Sequence, residues 1–140
     1  MIILDTNVVS EVIKPGCDPF VGSWFRAQDP STLYVTTITE AELLFGIECL
    51  PAGRRRANLF TLIERLLGEH FAGRILGFDS IAARNHARIA AARRASGHPI
   101  AFADCQIAGI ARSRAASVAS RDAAGFEGCG IEIVNPWEGR

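Results

Sequence analysis

The sequence opens with Met1-Ile2-Ile3-Leu4-Asp5-Thr6-Asn7, an apolar run that ends abruptly at an acid. A short run of this kind is typical of a buried strand in a parallel sheet. Thr6 or Asn7 can then cap a helix that ends before Pro15. An acid at the end of a buried strand costs desolvation energy unless a cation receives it. Asp5 is therefore the first candidate for a functional carboxylate.

Strand and helix signals alternate along the rest of the chain. Apolar runs indicate further strands at residues 33–36, 75–78, 117–120 and 131–134. Helices are indicated from Asp18-Pro19, from Thr39, after Arg54-Arg55-Arg56, and over residues 80–96 and 101–114. This alternation predicts an α/β fold with one domain over residues 1–140, in which helices flank a mainly parallel central sheet of about five strands.

The composition is that of a globular protein of ordinary size. The chain has 140 residues, of which 49% are hydrophobic and 21% are charged, and this length suffices for a single core. Its 15 basic and 15 acidic side chains give a formal net charge of zero. A nucleic-acid partner would therefore need a local basic patch, because no general positive field attracts it.

Neither the apolar runs nor the cysteines indicate export or membrane insertion. No stretch reaches the ~18 consecutive apolar residues expected of a membrane span, and the first residues lack the basic start of a signal peptide. The four cysteines are far apart and form no C-x-x-C pair, which favours reduced thiols over a zinc site. We therefore expect a cytoplasmic protein.

Four acids lie beside predicted strand ends or helix starts: Asp5, Glu42, Asp104 and Asp122. Asp5 and Asp122 follow the first and fourth strands, whereas Glu42 and Asp104 fall in the first turns of predicted helices. Ligands of open parallel sheets bind outside the carboxyl ends of the strands, so we expect the four side chains to converge there. Crowded carboxylates raise each other's pKa, and a hard divalent cation that prefers oxygen ligands offsets this crowding.

Three of these acids also have a purely structural explanation. Thr39 and Glu42 have the spacing of a capping box. Asp104 favours the dipole of its helix, and Asp122 can form a turn before Gly125. The residues alone leave these alternatives open.

Several short motifs follow one another in a specific order: Ile3-Leu4-Asp5-Thr6-Asn7-Val8, Ile38-Thr39-Glu40-Ala41-Glu42-Leu43, Pro51-Ala52-Gly53-Arg54-Arg55-Arg56, Phe71-Ala72-Gly73-Arg74, Ala103-Asp104, Ser120-Arg121-Asp122 and Asn135-Pro136-Trp137. Over nearly the whole chain this order resembles the PIN-domain ribonucleases, specifically the VapC-type toxins of bacterial toxin–antitoxin modules in their FitB-like branch.

The resemblance implies a metal-dependent endoribonuclease that hydrolyses RNA phosphodiester bonds with one or two Mg²⁺ or Mn²⁺ ions. Its catalytic acids correspond to Asp5, Glu42, Asp104 and Asp122. We expect Asp5 and Asp104 to bind an ion directly, and Glu42 and Asp122 to do so directly or through water, because Mg²⁺ keeps much of its hydration. Many members of this family carry an additional Asp where this chain has Gly125, so any role of that carboxylate is lost here.

Four polar residues next to these acids are further candidates. Thr6, Asn7 and Ser120 can orient waters or carboxylates around an ion. Arg121 either holds a substrate phosphate beside the ion or is a solvated turn residue. The sequence does not decide between these two roles.

The resemblance also implies partners. These are an RNA substrate, a cognate VapB-like antitoxin and a second copy of the chain in a homodimer, with operator DNA contacted only through the antitoxin and no membrane. An acidic pocket attracts an Arg side chain, which offers the antitoxin a way to inhibit the toxin.

Two other interpretations compete with this one. The first is a catalytically silent PIN module that acts as a scaffold for a partner or a nucleic acid. The second is a phosphotransferase of the haloacid-dehalogenase type, which needs a second Asp where Asn7 stands. Serine hydrolases and nucleotide-binding folds are disfavoured, because the chain has no G-x-S-x-G, P-loop or G-x-G-x-x-G motif.

Overall fold

The structure, a computed structural model that describes residues 1–138, contains one parallel sheet at its centre. In this described part of the chain the sheet has five strands in the order β3-β2-β1-β4-β5. The strands are β1 (Ile2–Leu4), β2 (Leu33–Thr36), β3 (Ile75–Leu76), β4 (Ser117–Ala119) and β5 (Ile133–Val134). All four pairings between neighbours are parallel, so the predicted sheet is confirmed.

Six α-helices flank the sheet within residues 1–138 and confirm the predicted α/β domain. They are α1 (Thr6–Ile13), α2 (Pro19–Ala27), α3 (Thr37–Glu48), α4 (Arg54–Arg65), α5 (Ser80–Ala95) and α6 (Phe102–Ser113). A π-helical turn, Leu66–His70, extends α4.

The register of the central strands brings distant parts of the chain together. Leu4 in β1 lies opposite Ala119 in β4, and the backbone N–H of Asp5 donates to the Ala119 carbonyl at 2.9 Å. Asp5 and Ser120, which follow these two strands directly, therefore leave the sheet side by side. Because the strands are parallel, their carboxyl ends all lie at the same edge of the sheet.

The core has one layer on each face of the sheet. Successive residues of a strand point to opposite faces, so Ile3 and Val118 join the layer under α5 and α6, whereas Leu4 and Ala119 join the layer under α1, α3 and α4. Helices α5 and α6 can pack closely because Gly109 has no Cβ. A Cβ at this position would lie only 2.7 Å from the Ala82 carbonyl oxygen. This packing holds in place the helix whose first turn carries Asp104.

The element boundaries differ from the prediction at several points. Strand β3 ends at Leu76 rather than at residue 78, and β5 begins at Ile133 rather than at residue 131. Helix α3 begins at Thr37 rather than at Thr39, because the Thr36 hydroxyl caps it by accepting the Thr39 N–H at 3.2 Å. Helix α4 includes the basic run that was expected to precede it.

Two further expectations concern the thiols and the membrane. All four cysteines are free thiols, as predicted. Within residues 1–138, no helix is both long and apolar enough to cross a bilayer.

Candidate active site

An open cavity of about 480 Å³ lies at the edge where the carboxyl ends of the strands meet. Three of the four predicted acids line it: Asp5 after β1, Glu42 on α3 and Asp104 on α6. Two of the polar candidates, Thr6 and Asn7, line it as well. The expected convergence at one edge of the sheet is therefore found for most of these residues.

Asp5 is held in one orientation by two hydrogen bonds. Its side chain is 5% exposed and accepts the Thr6 N–H on Oδ1 at 2.8 Å and the Ser120 hydroxyl on Oδ2 at 2.7 Å. Burial, followed by the charges of Glu42 and Asp122, raises the pKa of Asp5 even though the two hydrogen bonds lower it. Asp5 also caps α1, so the prediction that Thr6 or Asn7 caps this helix was wrong.

Ser120 fixes the position of Asp5 from the neighbouring strand. Its fully buried hydroxyl accepts the Asn7 amide at 3.3 Å and the Asp122 N–H at 3.0 Å, so its own proton is directed to Asp5. The Asn7 side-chain oxygen in turn accepts the Arg121 N–H at 3.3 Å. Ser120 therefore contacts Asp5 directly, whereas Asn7 contacts Ser120 and the backbone of Arg121.

Glu42 is oriented by a pair of threonines. Thr6 donates its hydroxyl to Glu42 Oε1 at 2.8 Å, and the Thr39 hydroxyl lies 2.9 Å from the Thr6 oxygen. Because the Thr6 hydroxyl has a single proton, Thr39 is the donor in that second bond. Glu42 lies in the second turn of α3, so both its predicted first-turn position and the capping box with Thr39 were wrong.

Asp104 lies in the first turn of α6, as predicted. Burial raises its pKa to about 6, with further contributions from the charges of Asp5, Glu42 and Asp122. Within residues 1–138, no hydrogen bond opposes these effects. Asp104 is therefore the acid whose ionisation is most costly without a nearby cation.

Asp122 lies near the cavity but does not line it. Its carboxylate accepts the Gly125 N–H at 3.0 Å, as expected of a turn-forming residue, and its charge raises the pKa of both Asp5 and Asp104. A Cβ at Gly125 would clash with the Asp122 carboxylate, so glycine at this position makes room for that acid. Asp122 therefore forms a turn and also adds negative charge near Asp5 and Asp104.

The carboxylates do not form a ready-made metal cluster in the described residues. Among residues 1–138, no three His, Cys, Asp or Glu side chains are close enough to hold one ion as they stand. In the same range, no Lys or Arg side chain lies within 4.0 Å of any of the four acids. Crowded oxygen ligands without a protein cation fit Mg²⁺ or Mn²⁺, and Mg²⁺ retains several waters.

The cavity is also lined by residues that the sequence analysis did not select. Ser10 and Glu11 line it from α1 and Lys14 from the C-cap of that helix, together with Trp137 and the predicted candidate Arg121. The first three follow Asn7 at helical spacing (i+3, i+4 and i+7), a polar periodicity that could have identified them. No sequence signal placed Trp137, which is distant along the chain.

Comparison with known proteins agrees with this fold. A model of the PIN domain matches residues 2–128. The chain belongs to the PIN-domain family. The match covers most of the chain, which confirms the family that the motif order suggested.

Individual members of the PIN-domain family show which branch is involved. The chain is 44% identical to VapC ribonuclease Y4jK of Sinorhizobium fredii over 99% of both chains. It is 36% identical to toxin FitB of Neisseria gonorrhoeae, over 98% of this chain and 99% of the other. A solved structure of FitAB bound to an IR36 DNA fragment gives a TM-score of 0.93 at 36% identity, covering 98% of this chain and 96% of that one. The chain is thus a VapC-type PIN domain of the FitB-like branch.

Proposed function

We propose that this PIN domain is a metal-dependent endoribonuclease and the toxin of a toxin–antitoxin pair, and that Asp5, Glu42, Asp104 and Asp122 form its catalytic site. The observation that carries the proposal is the convergence of Asp5, Glu42 and Asp104 on one cavity, where no Lys or Arg side chain of residues 1–138 lies within 4.0 Å of them. The ribonuclease Y4jK and the toxin FitB, to which the chain is similar, support the same function.

Each acid has a role that follows from its surroundings. Asp5 and Asp104, the two whose pKa is raised, bind one or two Mg²⁺ or Mn²⁺ ions directly. Glu42 and Asp122 bind directly or through water. A bound divalent ion would supply stabilisation of the charge on the attacked phosphate and an activated water.

The remaining polar residues hold these carboxylates in place. Ser120 keeps one oxygen of Asp5 engaged, and Thr6 does the same for Glu42, so neither acid loses orientation when the substrate arrives. Asn7 positions Ser120 and the backbone of Arg121 together. Because burial raises the pKa of Asp104 to about 6, a cation held by this carboxylate would compete with a proton below about pH 6 and would bind more weakly there.

The same proposal includes partners and location. We infer a cognate VapB-like antitoxin, a homodimer, and contact with operator DNA only through the antitoxin, supported by the similarity to FitAB bound to DNA. The cavity would attract an Arg side chain of the antitoxin, because a guanidinium pairs bidentately with carboxylates. The expected place of action is the cytoplasm.

A cleavage assay tests the proposal. The purified chain without antitoxin is incubated with a mixed-sequence RNA in EDTA and then in excess Mn²⁺, and Mn²⁺ binding is measured in parallel. We expect cleavage only with Mn²⁺, and a loss of roughly 100-fold or more in Asp5→Asn. Asp79→Asn is the matched control, since it also replaces a helix-capping carboxylate but lies outside the cavity.

Three outcomes would count against the proposal. Cleavage that persists in EDTA would exclude the metal-dependent mechanism. Full activity of Asp5→Asn would exclude the assigned site. A wild-type chain that neither binds Mn²⁺ nor cleaves RNA would favour the silent scaffold instead.

A further inference from the structure

The cavity lined by the acids is also lined by two cationic side chains and one aromatic side chain. We call these residues, Lys14, Arg121 and Trp137, the cationic end of the cavity that Asp5 and Asp104 line. Glu11 lines the same cavity and pairs with Lys14. Because the chain as a whole has no net charge, any attraction for a nucleic-acid partner here is local and depends mainly on Arg121.

Arg121 is the principal cation there, and its backbone is held in place. Its backbone N–H donates to Asn7 Oδ1 at 3.3 Å. Its guanidinium carbon lies 5.2 Å from the centroid of the Trp137 ring. Within residues 1–138, no carboxylate lies within 4.0 Å of its guanidinium. Its planar N–H donors are therefore available to a ligand, although the charge of Glu11, which lines the same cavity, offsets part of its positive charge.

Trp137 is a rigid aromatic partner for Arg121. Its ring is half-buried against the core layer under α1 and α3, and its backbone N–H donates to Asn135 Oδ1 at 3.0 Å. Turning the ring away would lose its packing against this core layer, while the bond to Asn135 fixes the backbone of Trp137. Together the ring and the guanidinium present flat surfaces to the cavity.

Lys14 is tethered at the mouth of the cavity. Its ammonium lies 3.1 Å from Glu11 Oε2, with the lysine side chain 57% exposed and the glutamate side chain 9% exposed. Glu11 is itself fixed, because the same oxygen accepts the Asp18 N–H at 3.0 Å. Lys14 is thus partly neutralised and contributes less to attraction than Arg121 does.

We propose that the cationic end is a subsite for one nucleotide of single-stranded RNA next to the phosphate that is cleaved. The guanidinium of Arg121 binds two oxygens of one phosphate, and Lys14 attracts the following phosphate. A base stacks on the flat surface formed by the Trp137 ring and the Arg121 guanidinium. A planar guanidinium suits two phosphate oxygens, and stacking on an aromatic ring requires a base that is free of its partner strand. This inference rests on the proposed function and adds which residues hold the nucleotide next to the cleaved phosphate.

Binding without cleavage tests the subsite directly. Fluorescence anisotropy measures the affinity of a short, labelled, mixed-sequence single-stranded RNA for the full chain in EDTA, where the proposed reaction stops. We expect Arg121→Gln to weaken binding about 10-fold and to lower the salt dependence by about 0.7 in log–log slope. Trp137→Leu should weaken it about 5- to 10-fold, and the same sequence as a duplex should bind at least about 10-fold more weakly.

Two variants separate a local effect from misfolding. Arg114→Gln removes an exposed cation at the C-terminal end of α6, outside this cavity, and should bind RNA within about twofold of wild type. Trp137→Phe keeps an aromatic ring and should recover most of the affinity that Trp137→Leu loses. In Mn²⁺, Trp137→Leu should raise KM more than it lowers kcat.

The results distinguish this subsite from the proposed function. If wild type cleaves RNA but Arg121→Gln and Trp137→Leu bind RNA as wild type does, the subsite is wrong and the nuclease proposal stands. If those variants lose only antitoxin binding, the cationic end serves a protein partner and the subsite is again wrong. If Asp5→Asn abolishes cleavage and keeps full RNA affinity while Arg121→Gln loses affinity, both proposals hold.

Discussion

The raised pKa of Asp104 predicts that removing its charge stabilises the protein. A pKa that rises from 3.8 to about 6 on folding corresponds to about 3 kcal/mol when the carboxyl is ionised, since one pKa unit is worth about 1.4 kcal/mol. Asp104 is only partly buried, so solvent screening reduces this to roughly 1–2 kcal/mol. Loss of a charge from the first turn of α6 costs about 0.5 kcal/mol in the opposite direction. Asp104→Asn should therefore raise the free energy of unfolding by about 1 kcal/mol near neutral pH.

The pH dependence of this gain has a definite sign. A carboxyl with a higher pKa in the folded chain binds more protons when folded, so the fold loses stability as pH rises between about 4 and 6. Asp104→Asn lacks this loss. Its advantage over wild type should therefore be full above about pH 6 and should nearly vanish below about pH 4.

Urea denaturation in EDTA, at about pH 7.5 and again at about pH 4, measures the effect. A gain of about 1 kcal/mol corresponds to a rise in Tm of roughly 3–4 °C for a domain of this size. Asp79→Asn, which replaces a capping carboxylate outside the cavity, gives the generic effect of removing an acid from a helix start. Mn²⁺ should stabilise wild type more than Asp104→Asn. An Asp104→Asn chain that is no more stable than wild type at the higher pH would refute the reasoning, as would a gain of equal size at both pH values.

Three further predictions follow from the same contacts. Ser120→Ala removes the hydroxyl that donates to Asp5, so it should raise the pKa of Asp5 further and shift the pH profile of cleavage upward. In urea denaturation it should cost about 1–3 kcal/mol of stability. An unchanged pH profile would contradict the assigned bond. Gly125→Ala should displace the Asp122 carboxylate from the Gly125 N–H, which should lower the free energy of unfolding by about 1 kcal/mol. It should also change the Mn²⁺ affinity severalfold in a calorimetric titration. An unchanged affinity would place Asp122 outside the metal site. Burial raises the pKa of the Cys105 thiol to about 11. At about pH 8 this thiol should therefore react with Ellman's reagent roughly 100-fold more slowly in the folded chain than in denaturant. Equal rates in the two states would contradict its burial.

Part of the site could be predicted because it depends on local sequence. The apolar run before Asp5 predicts a buried strand with an acid at its carboxyl end, and the spacing around Asp104 predicts the first turn of a helix. The topology of parallel sheets then places both acids at one edge without any knowledge of contacts. These predictions succeeded because strand burial and helix periodicity are properties of neighbouring residues.

Two of the predictions that failed concern choices among equivalent local partners. Asp5, Thr6 and Asn7 can each cap α1, and Thr36 and Thr39 can each cap α3. The structure selects Asp5 and Thr36, because Thr6 and Thr39 instead bond each other and orient Glu42. Local propensity cannot rank capping residues of the same chemical type when a distant partner decides.

The sequence by itself determined the fold class and placed three acids at one edge of the sheet, since these follow from periodicity and connection rules that act along the chain. Only the tertiary structure decided that Ser120 orients Asp5 across 115 positions and that Trp137 lies over Arg121. Such contacts depend on the register between β1 and β4 and on the packing of helices. No local pattern encodes either, because hydrogen bonds and ring contacts form only between groups that folding has already made neighbours.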